Sequence, residues 1–441
     1  MSALEANTTA SYNTAVGVNA LVANTTGSLN VAVGYLALKS NTTASSNVAI
    51  GNEALETNTT GASNTAVGDE AMEFNTTGSS NVAVGNDALY SNTTASNNVA
   101  LGANAMNANT TGHSNVAVGQ GALDANTTAS GNTAVGKSSL TANTTGSTNT
   151  AVGFNAMEVN TTGSNNTAVG YGSLNANTTA DESVAIGRQA LVLNTTGAQN
   201  TACGANALDE CTTGSQNTAV GRQALDGVTT GSNNTAVGRN SGYELTTGNH
   251  NIILGRNAGN TLTTGSYNIL IGDGNASGGS NDSAQITIGT DLTGKGSYYT
   301  SFGTNANGRV YNYYPSNATW TRDSDERLKK DIQTNTDCGL DFIKDLRTVT
   351  YKWKAPSEMP QEFVHYKADQ TEAVHKEKMY GFIAQEVKSI LDKHNITDFN
   401  GWTVDNEGVQ GISYEMFVMP LIKAVQELSA EVEQLKSQLN N

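Results

Sequence analysis

The stretch "NTAVGVNALVANTTGSL", Asn13 to Leu29, is a unit that returns every 17 residues along most of this chain. Its glycine recurs from Gly17 to Gly289 in sixteen steps without one insertion. A fixed period of this length is typical of solenoids, in which each repeat stacks on its neighbours. The residues before each glycine alternate in character as in a strand. The sequence therefore predicts one short strand per unit and a stack of parallel strands.

Three apolar columns run through the units. The residue before each glycine is Val, Ile, Leu or Cys, and we expect this column to face a core; examples are Val16, Ile50, Leu101, Cys203 and Ile288. The residue before that is Ala from Ala15 to Ala236, on the opposite face of the strand. Four residues after the glycine, Leu or Met fills thirteen successive units from Leu21 to Leu225. Both faces of the strand are thus predicted to be buried.

This arrangement predicts self-association. If the Leu/Met and Val/Ile columns fill the inside of the solenoid, the Ala column needs a second apolar surface, which another copy supplies. Small side chains allow close approach around an axis, so we predict a parallel homotrimer, with a dimer as the alternative. At about 4.8 Å per coil the fibre would be roughly 75 to 80 Å long. Near its end the Ala column becomes Ile253 and Leu270 while the Leu column becomes Gly242 and Gly259, which suggests that the solenoids change their mutual packing there.

Polar positions in the unit have predicted roles as well. "NTTGS" is the turn, and the Asn column from Asn7 to Asn194 is expected to form an amide ladder between coils. Positions after the glycine vary, and we expect them to be solvated, with a carbohydrate-binding flank left open as an alternative. The three cysteines lack metal-ligand spacing and indicate free thiols, with Cys203 as a small buried hydrophobe.

Charge and composition exclude several classes of function. The chain has a net charge of −16, and both parts are acidic, so nucleic acid is not an expected partner. No segment has the roughly 20 apolar residues that span a bilayer, so no membrane insertion is predicted. The opening residues have no basic segment followed by an apolar one, and we expect folding in a cytoplasm. No metal and no cofactor are predicted.

The repeat resembles two known families. "NVAIGNEAL" is similar to the left-handed β-roll repeats of YadA-type trimeric adhesin heads, and more closely to the 17-residue "NTAVGxxAL..NTTG" arrays of viral tail-fibre proteins. The resemblance covers Met1 to Gly289. It implies a trimeric fibre shaft over residues 1–289.

Residues 290–323 form an aromatic-rich β connector or distal tip. Tyr and Trp offer an apolar face with a polar edge, which suits sugars or an interface. The candidate receptor-binding residues are Tyr298, Tyr299, Tyr311, Tyr313, Tyr314 and Trp320. Simple aromatic packing within the connector is the alternative.

Residues 324–441 have the pattern of a small α+β domain that ends in a long helix. "CGLDFIKDLR" and "YGFIAQEVKSILDKH" predict helices, and "TVTYKWK" and "GVQGISY" predict strands. The final helix, within residues 415–441, has a heptad seam that favours a coiled coil. An intramolecular helix on its own domain is the alternative. The seam residues are Leu421, Val425, Leu428, Val432, Leu435 and Leu439.

The order of four motifs, "SDERLKKDI", "VTYKWK", "YGFIAQEV" and "ISYEMFVMPLIKAVQEL", resembles the C-terminal intramolecular chaperone of endosialidase-type tailspikes and tail fibres. The resemblance implies trimerisation followed by self-cleavage between Asp323 and Ser324. Ser324 would be the nucleophile and Lys329 the base, with Asp325 and Arg327 completing the motif. A lysine serves as base when burial and nearby positive charge lower its pKa. Helix capping by Ser324 is the alternative role.

Together these features predict a mainly β protein: a homotrimeric parallel β-solenoid (β-roll), a β connector, an α+β chaperone domain and a coiled-coil helix. The predicted function is a viral tail fibre or receptor-binding appendage, located in the virion and folded in the host cytoplasm. Its only enzymatic activity would be single-turnover serine autoproteolysis. Expected partners are two further copies, a baseplate or fibre protein at the N-terminal end, and a host surface glycan or protein receptor. A bacterial surface adhesin or ice-binding solenoid is the alternative.

Overall fold

The structure is a computed structural model that describes residues 2–306, 308–313, 315, 321–322, 326, 329–361, 366–373, 376–405 and 408–440. The chain divides into two compact units, Met1–Asp323 and Ser324–Asn441. The first unit is a β-solenoid with a short antiparallel extension. The second combines helices with two small sheets.

The predicted solenoid of 17-residue coils with one strand per coil is confirmed. Seventeen strands pair in parallel, and equivalent residues of successive coils face each other, as in Ala32 with Ala49. The strands are β1 Thr14–Val16, β2 Val31–Val33, β3 Val48–Ile50, β4 Thr65–Val67, β5 Val82–Val84, β6 Val99–Leu101, β7 Val116–Val118, β8 Thr133–Val135, β9 Thr150–Val152, β10 Thr167–Val169, β11 Val184–Ile186, β12 Thr201–Cys203, β13 Thr218–Val220, β14 Thr235–Val237, β15 Ile252–Leu254, β16 Ile269–Ile271 and β17 Ile286–Thr290.

Close approach of the coils explains the invariant glycine. Gly17 has φ +135°, and a Cβ built on it would lie 2.2 Å from the carbonyl oxygen of Gly34. The same clash recurs at Gly34 against Gly51, at 2.1 Å. A side chain at this position would push the coils apart, so glycine is required in every unit.

The core of the solenoid consists of the Ala and Leu/Met columns and of a second Ala position three residues after the glycine, as in Ala37. Ala32 and Leu38 are both fully buried, and so are their equivalents through the regular coils. The Leu/Met residues adopt left-handed backbone, as in Leu21 at φ +55° and Leu38 at φ +53°. The chain turns there, so the long side chain points into the narrow interior and only Ala fits opposite.

The predicted assignment of faces was therefore wrong for the Val/Ile column. This column points outward, with exposed fractions of 59% for Val16 and 40% for Ile50. Cys203, predicted to be buried, is exposed for the same reason. The Ala column does not need a second chain, because the Leu/Met column of its own chain already covers it.

Packing within one chain also explains the exchange of large and small residues near Ile253. A Cβ on Gly242 would lie 3.0 Å from Ile253 Cδ1 and 2.8 Å from Leu225 Cδ2. A Cβ on Gly259 would lie 3.0 Å from Ile253 Cγ2. The larger residue on the strand thus fills the space that Leu occupies elsewhere. The predicted change in packing between solenoids is not needed to explain it.

The predicted amide ladder is confirmed. Asn41 Nδ2 donates to Asn24 Oδ1 at 2.9 Å and to the carbonyl of Ala44 at 3.0 Å, and this pattern repeats up to Asn194. The next position is Cys211, and Asn194 Oδ1 is buried without a partner. Hydrogen bonds between neighbouring coils therefore line the buried edge of the turn.

A second Asn column was missed from the sequence. Asn30 donates its backbone N–H to Asn13 Oδ1 at 2.9 Å, and its side-chain amide donates to the carbonyl of Ala44 at 2.9 Å. Beyond the end of the first ladder, the second column adds direct amide contacts, as in Asn251 Nδ2 to Asn234 Oδ1 at 3.0 Å. Its signal is the Asn that precedes nearly every strand.

The parallel stack continues past the last regular glycine. β18 Tyr299–Thr304 pairs in parallel with β17, with Ile288 opposite Phe302, so this coil is only 14 residues long. β19 Gly308–Tyr313 then turns back antiparallel to β18, and β20 Thr321–Arg322 pairs antiparallel with β19.

The second unit has a small aromatic core. Phe342, Phe417 and Phe399 pack with ring centroids 5.0 to 6.4 Å apart. Val387 and Leu391 from one helix complete the core. The elements are α1 Leu340–Asp345, β21 Val349–Tyr351, β22 Met379–Gly381, α2 Ala384–Lys393, β23 Trp402–Val404, β24 Gln410–Ile412 and α3 Val418–Leu439; 3-10 turns occupy Pro356–Glu358 and Tyr414–Phe417. Among the described residues, no helix has the length and apolarity needed to cross a bilayer.

Candidate association and processing sites

One face of every solenoid strand is uncovered in the single chain. It carries the first and third residues of β1–β17, which are Thr, Val, Ile, Leu or Cys. Exposed fractions are 42% at Ile186 and 41% at Val237 within the stack, and 59% at Val16 in its first strand. Because successive strands pair in register, the third residues form a continuous apolar row beside a row of Val, Ile and Thr from the first residues; we call the two rows together the strand stripe. Contiguous apolar surface of this extent marks an interaction site.

The final helix exposes a second apolar surface. The predicted heptad residues all lie on α3, and Val425 is 65% and Leu435 57% exposed. Leu421, Val425 and their neighbours Val418 and Ile422 line a shallow apolar groove. The described residues of the same unit leave this seam uncovered, in contrast to Ala424 on the other side of α3, which is buried.

A carboxylate on α3 ties this helix to the rest of the unit. Glu427 Oε2 accepts the backbone N–H of Leu340 at 2.6 Å, at the first residue of α1. This hydrogen bond and Lys423 hold the pKa of Glu427 below its usual range. A Cβ on Gly339 would lie 2.3 Å from Glu427 Oε2, so the glycine leaves room for the contact. No local pattern in the sequence marks this pair, since 87 residues separate the two positions.

A second polar contact fixes the two short helices. Asp345 at the end of α1 accepts hydrogen bonds from Lys393 Nζ at 2.7 Å and His394 Nε2 at 2.6 Å. These two partners lower the pKa of Asp345. Arg347 forms an ion pair with Glu386 of α2. These ion pairs and hydrogen bonds therefore stabilise the packing of α1 against α2, in addition to the aromatic core.

The connector brings three of the predicted aromatics together. Tyr299 on β18 lies 4.7 Å from Tyr313 and 6.0 Å from Tyr311, ring centroid to ring centroid. Lys295 Nζ lies 4.5 Å above the ring of Tyr311. Tyr298 is 51% exposed. Tyr314 and Trp320 lie outside the described residues, so the predicted binding group is described only in part.

The solenoid flank carries a buried carboxyl that the sequence analysis did not single out. Asp226 is only 9% exposed, and its Oδ1 has no hydrogen-bond partner. Burial, Asp209 and Glu210 raise its pKa to about 6, against a smaller opposing effect of Arg222. Asp209, one coil earlier, also has a buried oxygen without a partner.

The predicted processing residues fall largely outside the described part of the chain: Asp323, Ser324, Asp325 and Arg327. Lys329 is described; its side chain is exposed, and its backbone N–H donates to the carbonyl of Glu326 at 3.0 Å. The distance from Lys329 to Ser324 is therefore not defined, and the proposed serine–lysine pair stays a prediction.

Comparison with known proteins bears on the second unit. A comparison with the curated proteins found no match. Residues 324–396 match the sequence model of a family described as "chaperone of endosialidase". The match begins at Ser324, the first residue of the second compact unit. It ends just after α2, so β23, β24 and α3 lie beyond it. The chain therefore joins a 17-residue-repeat β-solenoid to a C-terminal segment similar to the chaperone of endosialidase.

Proposed function

We propose that this protein is the shaft of a viral tail fibre or receptor-binding appendage, assembled as a parallel homotrimer by its C-terminal unit. The observation that carries the proposal is the strand stripe, which runs in register along a solenoid followed by a chaperone-like segment. The stripe repeats every ~4.8 Å over sixteen steps, about 77 Å in all. A second copy offers an apolar surface with the same repeat.

The number of copies comes from the resemblance to trimeric fibres. The stripe and the α3 seam each favour self-association, and both lie on extended elements that suit parallel partners. The Ala column itself does not indicate three chains, because it lies inside the solenoid. Two-copy assembly is the competing outcome, and light scattering on the purified full-length chain distinguishes the two masses.

A C-terminal clamp has a physical purpose in such a fibre. Because every coil is nearly identical, three solenoids could pair out of step by 17 residues. Association through α3 brings the chains together at one end and so sets the register before the coils pair. Later loss of the clamp would leave the fibre kinetically trapped, since the route back is removed.

The proposed release is cleavage between Asp323 and Ser324. Ser324 Oγ attacks the carbonyl carbon of Asp323 while Lys329 takes the hydroxyl proton. Lys329 returns this proton to the nitrogen of Ser324 as the C–N bond breaks, so the peptide bond is replaced by an ester with a free amino group on Ser324. Water then hydrolyses the ester, which leaves a carboxylate on Asp323. Each chain performs this step once.

Intact-mass analysis and light scattering test both parts. The wild type should give trimers of a chain ending at Asp323, whereas Ser324→Ala should give trimers of the uncut 441-residue chain. Lys329→Met should resemble Ser324→Ala, and Lys352→Met, at an exposed lysine outside the "SDERLKKDI" motif, is the matched control that should still be cut. An uncut wild-type trimer contradicts the cleavage step, and monomers of every variant contradict the assembly.

A further inference from the structure

The cations of the solenoid are concentrated at one position of the repeat. Residues 1–289 contain six Lys and Arg, and five of them directly follow the repeat glycine. The exception is Lys39, which forms an ion pair with Glu56 at 2.9 Å. We call this position of the repeat, from Lys137 to Arg256, the basic column; its cations are Lys137, Arg188, Arg222, Arg239 and Arg256.

The basic column also contains an aromatic pair. Phe154 and Tyr171 occupy the same position in the two coils between Lys137 and Arg188. They are 43% and 54% exposed, and their rings are nearly parallel, at 14°, with centroids 5.7 Å apart. From Lys137 to Arg256 the column has no acidic residue, and Ala205 is its one small member.

Parallel pairing in register makes the column continuous and regularly spaced. Each coil moves the position along the solenoid by ~4.8 Å, so seven steps from Lys137 to Arg256 span about 34 Å. All five cations are exposed. A row of this length fits an extended partner lying along the solenoid and does not resemble a pocket for a small ligand.

Most of the positive charge is not neutralised within the described residues. Arg188 donates to the neutral side-chain oxygens of Gln189 at 2.5 Å and Asn206 at 2.8 Å, which orient its guanidinium and leave its charge. Over the described part of the chain, ion pairs involve neither Arg222 nor Arg239. Arg256, at the end of the row, pairs with Asp273 through two hydrogen bonds.

We propose that the basic column binds an acidic polysaccharide that carries carboxylates, laid along the solenoid. Guanidinium groups bind carboxylates through paired hydrogen bonds, and aromatic side chains supply apolar contact to the body of a partner. This inference deepens the proposed function, on which it rests for the idea of a surface glycan, and it places that contact on the shaft and not at the aromatic connector.

Single-stranded nucleic acid fits less well. Its bases bind by stacking on the faces of aromatic rings. Phe154 and Tyr171 already stack on each other, and a centroid separation of 5.7 Å leaves no room for a base between them.

The test measures binding of the full-length protein to polygalacturonate oligosaccharides, with neutral dextran and oligo-dT as comparison polymers. We expect polygalacturonate to bind, more weakly as salt is added, and dextran and oligo-dT to bind at least about tenfold more weakly. Arg222→Gln with Arg239→Gln should weaken binding by about tenfold or more. Lys39→Gln with Lys295→Gln removes the same charge elsewhere and should change binding by less than about twofold.

Three results would overturn the proposal: no binding of polygalacturonate, equal binding of oligo-dT, or equal losses in the two double variants. Circular dichroism establishes that each variant is folded. Cleavage and trimer mass, measured on the same samples, report on the proposed function separately. A correctly assembled, correctly cut protein that ignores polygalacturonate contradicts the glycan site alone.

Discussion

Ile253 Cδ1 lies 3.0 Å from the position that a Cβ on Gly242 would take, so these two residues share one volume in the solenoid interior. In the regular coils Leu fills this volume from the turn and Ala faces it from the strand. Here the strand supplies the large residue and the turn supplies none. The core keeps its volume while two distant sequence positions exchange their sizes.

This exchange predicts a double-mutant effect on stability. Gly242→Leu alone should destabilise the solenoid by about 1–3 kcal/mol through overpacking, and Ile253→Ala alone by about 2–5 kcal/mol through a cavity. The double variant restores the regular pair and should lose much less than the sum. The left-handed backbone at Gly242, with φ +64°, does not prevent a leucine there. Leu residues of this column adopt a similar φ, as in Leu225 at φ +52°.

Denaturant unfolding of the four proteins measures the coupling between the two positions. Additive losses would show that the two residues do not compete for space. Gly121→Ala is a useful control, because a Cβ at Gly121 meets nothing within 4 Å although its φ is also positive, at +64°. It tests the backbone conformation without the packing.

The strand stripe predicts that Cys203 residues of neighbouring chains lie close together. Cys203 is exposed on the stripe, whereas burial raises the pKa of the Cys211 thiol to about 12 and leaves it unreactive. A short bismaleimide should therefore link assembled chains into covalent dimers on a denaturing gel. Cys203→Ser should abolish the product.

A matched variant locates the contact. Thr213→Cys in the Cys203→Ser background places a thiol on the exposed turn of the same coil. It should react with a monofunctional maleimide but give little cross-linking. If Thr213→Cys links chains as well as Cys203 does, the stripe is not the face between copies.

The Asn ladder predicts that position within the ladder decides the cost of breaking it. Asn109→Leu leaves Asn92 Oδ1 without its donor and removes the oxygen to which Asn126 Nδ2 donates at 2.9 Å, at about 2 kcal/mol or more. Asn194→Leu should cost less, about 1 kcal/mol. Its donated bond to Asn177 Oδ1 is longer, at 3.3 Å, its own oxygen is already unpaired, and Asn200 Nδ2 still donates to the carbonyl of Gly197 at 3.1 Å.

Chemical denaturation compares the two variants, which remove the same side chain from equally buried sites. Equal losses would mean that the amide contacts between coils contribute little beyond packing. A larger loss at Asn194 would contradict the ladder directly.

The raised pKa of Asp226 predicts that the free energy of unfolding increases as the pH falls from 6 to 4. Its pKa is raised to about 6 in the folded chain, above about 3.9 for an unfolded Asp, so the folded state binds the proton more tightly. Between pH 6 and pH 4 protonation therefore favours folding, and above pH 6 the charged form costs stability. Asp226→Asn mimics the neutral form and should remove this part of the pH dependence.

Thermal unfolding of both proteins from pH 4 to pH 8 gives the test as a difference. The variant should be the more stable protein at pH 8, and the two should converge near pH 4. The difference between the two proteins is the informative quantity, because other carboxyl groups contribute to the pH dependence of both. The pKa values of Glu73 and Asp124 are raised too, and those of Asp273, Asp345 and Glu427 are lowered. Parallel curves would rule out the assignment to Asp226.

The spacing of glycines was enough to predict the solenoid, because a clash such as that of Gly17 with Gly34 is repeated wherever two coils stack. Alternation alone could not predict which face of each strand points into the core. Alternation shows that Val16 and Ala15 point apart, but it does not show which points inward. The left-handed turn at Leu21 decides that question, since it directs the large residue inside and leaves room for Ala only.

The second unit was predicted at the level of its elements and motifs. The helices over Leu340–Asp345 and Ala384–Lys393 follow from local pattern, and the family match from Ser324 agrees with the motifs. Contacts such as Glu427 with Leu340 join distant parts of the chain and leave no local pattern. The geometry around Ser324 lies outside the described residues, so the proposed chemistry depends on the cleavage experiment.

The strict 17-residue step has a consequence for how such a protein changes over time. Every regular coil presents the same strand backbone and Asn side chains to the coil on each side. A whole coil can therefore be inserted or deleted, and the two coils that become neighbours still fit. Each such event alters the reach of the shaft by ~4.8 Å and changes no buried contact type. Length is thus a quantity that this architecture can adjust in equal increments, independently of what lies at either end.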